Sequence, residues 1–318
     1  MAEKPVALYF RILKYQTQNR VLLDRLFTVF EREHPGYQSN DILAKTELLF
    51  APLGFNVDSA CMDRYPRLRC IASNTTGIPH IDIDEATKRG IVVCALHDEQ
   101  VFLDTITPTA EHTIGLMLAA ARRIPAAHAA AVAGKWDRRP WGSPRMMSRL
   151  RLGVVGLGRL GRKVAVIAKA MGMDVAFYDP YHSGGMATLL ELAKRSDVLS
   201  LHAVANQETK RIVSREVLEA LPPNAIVVNT ARGELLDCDA LLDLLEDGYL
   251  WAAALDTIDG EYDLRFSDNF SESRIAKYAR NHDNLILTPH IGGSTVDAWT
   301  ETEQKVILKA AAVFGLVH

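Results

Sequence analysis

At 318 residues the chain is long for one hydrophobic core, so two domains are expected. Hydrophobic residues make up 48% and charged residues 24%, the balance of an ordinary globular protein. The formal net charge of −3 comes with no basic block and no acidic tail, so nucleic acid and membrane surfaces are not expected partners.

The opening MAEKPVALYF has too short an apolar run for a signal peptide and supplies a first strand, Val6–Phe10. Short apolar runs then alternate with segments of helical period, the rhythm of parallel sheets covered by helices. Strands are expected at Glu47–Ala51, Arg69–Ala72 and Ile91–Ala95, and helices at Gln18–Glu33 and Asp84–Arg89, the latter stopped by Gly90. Thr107-Pro108-Thr109-Ala110-Glu111 opens a long alanine-rich helix to about Arg122, and Pro125 breaks or kinks its continuation. His112 and His128 read as structural on that apolar helix, and the run Ala126–Ala133 reads as packed helix. The loop Lys135–Arg149, with Trp136, Trp141, Arg138, Arg139 and Arg145, reads as a solvated interface loop.

A second set of strands is expected at Leu152–Val155, Asp174–Tyr178, Val198–His202, Ala225–Asn229, Ala252–Leu255 and Leu285–Leu287, before a closing amphipathic helix at Thr295–Val313. The boundary is expected near Asp98–Thr105, with the closing helix returning to the first domain. No stretch approaches the roughly 18 apolar residues of a membrane span. Cys61, Cys70, Cys94 and Cys238 are scattered without a CxxC, which fits reduced thiols in a cytoplasmic protein and no metal site.

The strongest motif is LGVVGLGRLGRKVA, whose glycines 156, 158 and 161 follow a strand and open a helix. Gly156 permits a tight turn, Gly158 lets backbone approach a pyrophosphate, and Gly161 lets helix and strand pack closely. The helix amino terminus presents N–H groups and a positive dipole end to the phosphates. Asp179 closes the next strand, 18 residues after Gly161, where a carboxylate accepts hydrogen bonds from a ribose and repels a 2′-phosphate. Pro180, Tyr181 and His182 follow it without an arginine, so NAD is expected rather than NADP.

Hydride transfer to a carbonyl also needs a cation for a substrate carboxylate, a proton donor, and a group that orients and charges the donor. NAIVVNTARGELLD places Arg232 just beyond a buried strand, where a guanidinium fork can face an anion. LILTPHIGGS places His290 between a strand and a Gly-Gly turn. WAAALDTIDGEYD offers Asp256 and Glu261 as partners for that histidine, and spacing alone does not choose between them.

Together NTARGELLD, LD-x4-E, TPHIGG and VVGLGRLG resemble the D-isomer-specific 2-hydroxyacid dehydrogenase family, over most of the chain and in the same order. The resemblance implies an α/β protein of two Rossmann-like or flavodoxin-like domains, the NAD domain (residues 101–294) inserted into the substrate domain (residues 1–100 with 295–318), and a homodimer. It assigns the catalytic roles to Arg232, Glu261 and His290, places Asp256 near the nicotinamide, and makes Thr75, Thr76 and Gly77 of NTTGIPHID substrate contacts. On the same resemblance Arg159, Leu160, Thr109, Thr209, Thr230, Ala231, Gly292 and Gly293 join the glycine loop and Asp179 as cofactor contacts. The expected activity is reversible hydride transfer between NAD(H) and a 2-oxo/2-hydroxy acid pair. Alternatives are an NAD-sensing scaffold like the corepressors of this fold, or a dehydrogenase of formate or phosphite. Three departures stand out. Tyr262 follows Glu261 where a proline is usual, Val204-Ala205-Asn206 replaces Pro-Leu-Thr, and Tyr262–Asn284 is longer than usual, as for an extra helix over the cleft or a partner contact.

Overall fold

The computed structural model describes residues 3–36, 38–141, 145–263 and 265–317. Its contacts divide the chain into two units, Met1–Ile106 with Thr295–His318, and Thr107–Ser294, so the second is inserted into the first.

The first unit begins with β1 (Val6–Phe10), α1 (Thr17–Leu26), β2 (Thr28–Arg32), α2 (Asn40–Lys45) and β3 (Leu48–Phe50). It continues through α3 (Ser59–Asp63), β4 (Cys70–Ala72), α4 (Ile83–Lys88), β5 (Val92–Cys94) and α5 (Gln100–Leu103). The five strands form a parallel sheet in the order β2-β1-β3-β4-β5. Continuous apolar runs such as VALYF and LLF suit strands covered on both faces, and Ala7, Leu8, Phe10, Leu48, Leu49 and Phe50 are fully buried. The expected helix Gln18–Glu33 is a helix followed by a strand. Phe27 is extended at φ −125° and ψ 160°, and Thr28–Arg32 pairs with β1 along its whole length. No glycine or proline marks that change, and the apolar spacing runs on through it, so periodicity alone carries the helix too far.

The inserted unit contains α6 (Pro108–Arg122), α7 (Ile124–Val132), β6 (Arg151–Val155), α8 (Arg159–Ala170), β7 (Asp174–Tyr178), α9 (Leu189–Lys194) and β8 (Val198–Leu201). After these come α10 (Arg215–Glu219), β9 (Ile226–Asn229), α11 (Cys238–Glu246), β10 (Ala252–Leu255), α12 (Phe266–Asn269), α13 (Arg274–Asn281) and β11 (Leu285–Leu287). Its six strands are parallel in the order β11-β10-β9-β8-β6-β7. One face packs α6 and α8 on Val154, Val198, Val228 and Ala254, and the other packs α11 and α13 on Leu199, Leu201, Val227 and Leu255. The closing helix α14 (Val296–Val313) belongs to the first unit, where Val306, Ile307, Ala310 and Ala311 bury against its sheet.

One expectation changes here. The run Ala126–Ala133 is helical but not packed, because none of the nine residues of α7 is buried. The long Tyr262–Asn284 segment, in which residue 264 lies outside the described residues, forms α12 and α13. Helix α13 sits against α11, burying Ile275 and Tyr278 and pairing Arg274 with Asp239 and Asp243. The Lys135–Arg149 loop, apart from residues 142–144 outside the described set, leaves Trp136 92% exposed and returns Arg145 to Asp197. Among the described residues no helix is long and apolar enough to cross a membrane, and no cluster of three or more His, Cys, Asp or Glu could hold a metal.

Candidate active site

The glycine loop joins β6 to α8 at the point where the strand order reverses, between β6 and β8. Gly156 has φ +88°, and a Cβ there would stand 2.7 Å from the Ala203 amide nitrogen, so any side chain strains the backbone. A Cβ on Gly161 would stand 2.1 Å from the Gly156 carbonyl oxygen, which is the close helix–strand contact that motif requires. Gly158 caps α8, and a Cβ there would meet nothing within 4 Å. The open space over Gly158 and the amino terminus of α8, where Arg159 and Leu160 form the first turn, fit a dinucleotide pyrophosphate. Asp179, at the end of β7, accepts hydrogen bonds from the Leu157 amide at 2.7 Å and the Tyr181 amide at 2.9 Å, with His182 at 3.2 Å. Burial pushes this carboxyl up, but the two amides and His182 outweigh it and hold it below the usual carboxylate range. A charged acid at that place suits ribose hydroxyls and opposes a 2′-phosphate.

The next part of the site is the turn after β9. Fully buried Asn229 shapes it, accepting from the Ala231 amide at 3.0 Å and donating to the Arg232 carbonyl at 2.8 Å. Thr230 shares a 2.7 Å hydrogen bond with Thr113 of α6. Gly233 lies against the chain after β10, where a Cβ would fall 2.0 Å from the Asp259 amide nitrogen. That contact explains the glycine beside the arginine, since it brings Arg232 next to the segment carrying Glu261.

His290 sits beyond β11 at φ 52°, in the left-handed region that costs a non-glycine residue about 1–3 kcal/mol. Its own N–H donates to the Asp256 carbonyl at 2.8 Å. The buried Asp256 carboxylate then accepts from the Ile291 amide at 2.9 Å, the Gly292 amide at 2.8 Å and the Thr288 hydroxyl at 2.5 Å. A Cβ on Gly292 would come 2.8 Å from the same carboxylate. Nδ1 of His290 lies 2.8 Å from Glu261 Oε1, which leaves Nε2 for proton exchange. Sequence spacing left two acids open for the histidine. The geometry gives each a different task, with Glu261 on the imidazole and Asp256 on the backbone of the loop that carries it.

His112, read from the sequence as structural, belongs to this network. Its Nε2 is 3.2 Å from Asp256 Oδ1 and 3.1 Å from Thr288 Oγ1. The available signal was its position one helical turn after Thr109, whose side chain borders Gly292 and Gly293. His128 is exposed on α7. Thr209 lies in the loop after β8, where its hydroxyl donates to the Val204 carbonyl at 2.6 Å and accepts from the Asn206 amide at 2.8 Å. Thr75, Thr76 and Gly77 lie in the first unit, after β4. The Thr75 hydroxyl donates to the Gly77 carbonyl at 2.8 Å and meets Ser73 at 2.9 Å, beside buried His80, which burial pushes below the usual histidine value.

Residues 114–292 match the family model for the D-isomer specific 2-hydroxyacid dehydrogenase, NAD binding domain. The chain is 36% identical over 275 residues to the D-3-phosphoglycerate dehydrogenase of Methanocaldococcus jannaschii, covering 83% of this chain and 49% of that protein. It is 32% identical over 266 residues to the glyoxylate reductase of Thermofilum pendens, covering 79% of this chain and 74% of the other. Against the crystal structure of D-lactate dehydrogenase from Aquifex aeolicus complexed with NAD and lactic acid, the TM-score is 0.81 at 25% identity, over 98% of this chain and 96% of that one. The chain spans about half the length of the D-3-phosphoglycerate dehydrogenases it matches.

Proposed function

The chain belongs to the D-isomer specific 2-hydroxyacid dehydrogenase family, and on that premise we propose that it interconverts a 2-oxo acid and a D-2-hydroxy acid with NAD(H). The observation that carries this reading is the His290–Glu261 pair at 2.8 Å, set on the same sheet as the glycine cradle and the Arg232 turn. Bound NADH supplies the hydride. Arg232 binds the substrate carboxylate and polarises the carbonyl through charge-assisted hydrogen bonds. His290 gives a proton from Nε2 to the carbonyl oxygen during reduction and takes it back during oxidation. Glu261 holds Nδ1, fixing the ring's orientation and leaving Nε2 to exchange the proton. Asp256, contacted by His112, holds the loop in its left-handed turn, and on the resemblance it would lie near a bound nicotinamide. Thr75, Thr76 and Gly77 are assigned to substrate binding, and Thr109, Thr209, Thr230, Ala231, Gly292 and Gly293 to the cofactor, on the resemblance.

A homodimer is part of the same proposal. Helix α7, IPAAHAAAV, buries none of its residues, Val132 is 75% exposed, and Trp136 follows it, a run of apolar surface that suits a second copy of the chain. Four free cysteines suit the cytoplasm.

The test follows NADH absorbance against glyoxylate, pyruvate, hydroxypyruvate, 2-oxoglutarate, 3-phosphohydroxypyruvate and bulkier sugar-derived 2-oxo acids. Turnover is expected with at least one of them. His290→Ala should cut kcat about 10²–10⁴-fold while NADH still binds. Tight NADH binding with no turnover of any acid, formate or phosphite would replace this reading with an NAD-sensing scaffold.

A further inference from the structure

We propose that Tyr262 is a positioning residue for His290, its hydroxyl oxygen taking a second share of the Nδ1 proton that Glu261 holds. The proposal rests on the reading of His290 as the proton donor. The turn after β10 presents two consecutive side chains to one ring nitrogen, with Glu261 Oε1 at 2.8 Å and Tyr262 Oη at 3.3 Å from Nδ1. The phenol and imidazole rings stand 6.0 Å apart at 52°. A proline at this position, usual in the resemblance described above, would carry no hydroxyl.

One N–H divided between two acceptors is directional in a way that one acceptor is not. The shorter, charged contact takes the larger share and keeps the proton on Nδ1. With that contact alone the ring can still rock about the Nδ1···Oε1 line. A second acceptor from the adjacent residue fixes its plane, and with it the direction of Nε2. The other charged groups nearby have different roles. Asp256 is engaged by the amides of Ile291 and Gly292, His112 faces Asp256, and Arg232 is near enough to draw the phenol's ionisation downward. Burial outweighs Arg232 and pushes the Tyr262 phenol above its usual value, so it remains a neutral acceptor through the working range. Such an acceptor favours the protonated ring over the neutral one.

The experiment compares wild type with Tyr262→Phe. The His290 ring is titrated by NMR, a readout that needs no turnover, and kcat and KM are measured with whichever 2-oxo acid the panel identifies. In Y262F the His290 midpoint should fall by roughly half a pH unit. The alkaline limb of reduction should move with it, and kcat should drop about two- to tenfold with KM little changed. In a Glu261→Gln background the same substitution should have a different effect, because both residues act on one nitrogen. An unchanged midpoint overturns the proposal, even if Y262F lowers the melting temperature or kcat. A shifted midpoint in a protein that turns over no 2-oxo acid upholds the Tyr262 contact and sinks the dehydrogenase reading instead.

Discussion

The two sheets are wound alike and finished differently. In sequence order the first runs 2-1-3-4-5, and the inserted one follows the same 2-1-3-4-5 order with a sixth strand added. Each therefore reverses direction between its first and third strands, where an open α/β sheet leaves a crevice. In the inserted unit that place stays open. Gly156 turns tightly against Ala203, Gly158 has free space above it, and β8 leads into His202. In the first unit the same place is plugged. The β1–α1 connection folds Tyr15 inward, where its amide donates to the Tyr9 hydroxyl at 2.9 Å and its ring meets Tyr9 and Phe50 edge-on. Glu303 of α14 closes the plug, accepting from the Gln16 amide and the Asn19 side chain at 2.8 Å. One winding thus serves as a nucleotide cradle or as a packed core, and a few residues at the strand ends decide which.

The largest effect that can break this comparison is expected at the open switch point. Gly156→Ala forces a Cβ to 2.7 Å from a backbone nitrogen at φ +88°, so NADH affinity should fall roughly ten- to a hundredfold. Tyr9→Phe in the first unit leaves a buried amide unpaired and should cost stability without moving the NADH dissociation constant. Fluorescence titration with NADH reads both. Equal binding by Gly156→Ala and wild type would mean that the loop is not the cradle.

How much of this was legible beforehand depended on whether a residue's task is local. Glycines at fixed spacing after a strand report a local backbone need, so the tight turn at Gly156 and the close helix–strand contact at Gly161 could be read directly. The buried strands of the second unit came through as continuous apolar runs for a similar reason. Strand β2 did not, because Phe27 alone turns helix into strand with no breaker residue to announce it. The choice between Asp256 and Glu261 was not local either, and ahead of the fold it rested on the family resemblance alone. It depends on where the loop after β11 crosses the end of β10, and only the fold puts the Ile291 and Gly292 amides on Asp256 and the imidazole on Glu261. His112 was hidden more deeply. Its partners are 144 and 176 residues away in sequence, and on an apolar helix it looks like any packed histidine.

The second effect separates the units by their response to acid. His202 shares a 2.8 Å hydrogen bond with Ser200 through Nε2, while its Nδ1 is buried without a partner. Burial pushes the ring down to about 4. The folded-state value lies below the unfolded one, near 6.5, so between those limits the unfolded chain binds the proton that the folded chain refuses. Stability is therefore lost as pH falls from about 6.5 towards 4. Between pH 7.5 and pH 5 this residue should remove about 2 kcal/mol, and His202→Asn should remove that part of the dependence. Urea unfolding of both proteins at the two pH values measures it. Parallel curves would show that His202 does not titrate on unfolding.

The smallest effect has the opposite sign, and it belongs to the plug. Glu303 is 2% exposed, and burial raises its carboxyl above the usual range despite the hydrogen bonds from Asn19 and Gln16. A folded-state value above the unfolded one means that this group's contribution is fully present below the unfolded value and is lost as pH rises through the folded one. Glu303→Gln keeps an acceptor oxygen for the two donors and removes the buried charge. It should leave stability at pH 7.5 unchanged or higher by up to about 1 kcal/mol, with the advantage gone or reversed at pH 4.5. The unfolding midpoint of this variant at the two pH values, set beside that of His202→Asn, tests both ends of the comparison. If the two switch points differ as described, falling pH weakens the open one through a buried imidazole whose Nδ1 has no partner, and rising pH weakens the plugged one as the carboxyl held in the core ionises. A Glu303→Gln protein less stable than wild type at pH 7.5 would mean that the charge itself holds Asn19 and Gln16 in place, and that the plug is a polar latch more than a packed core.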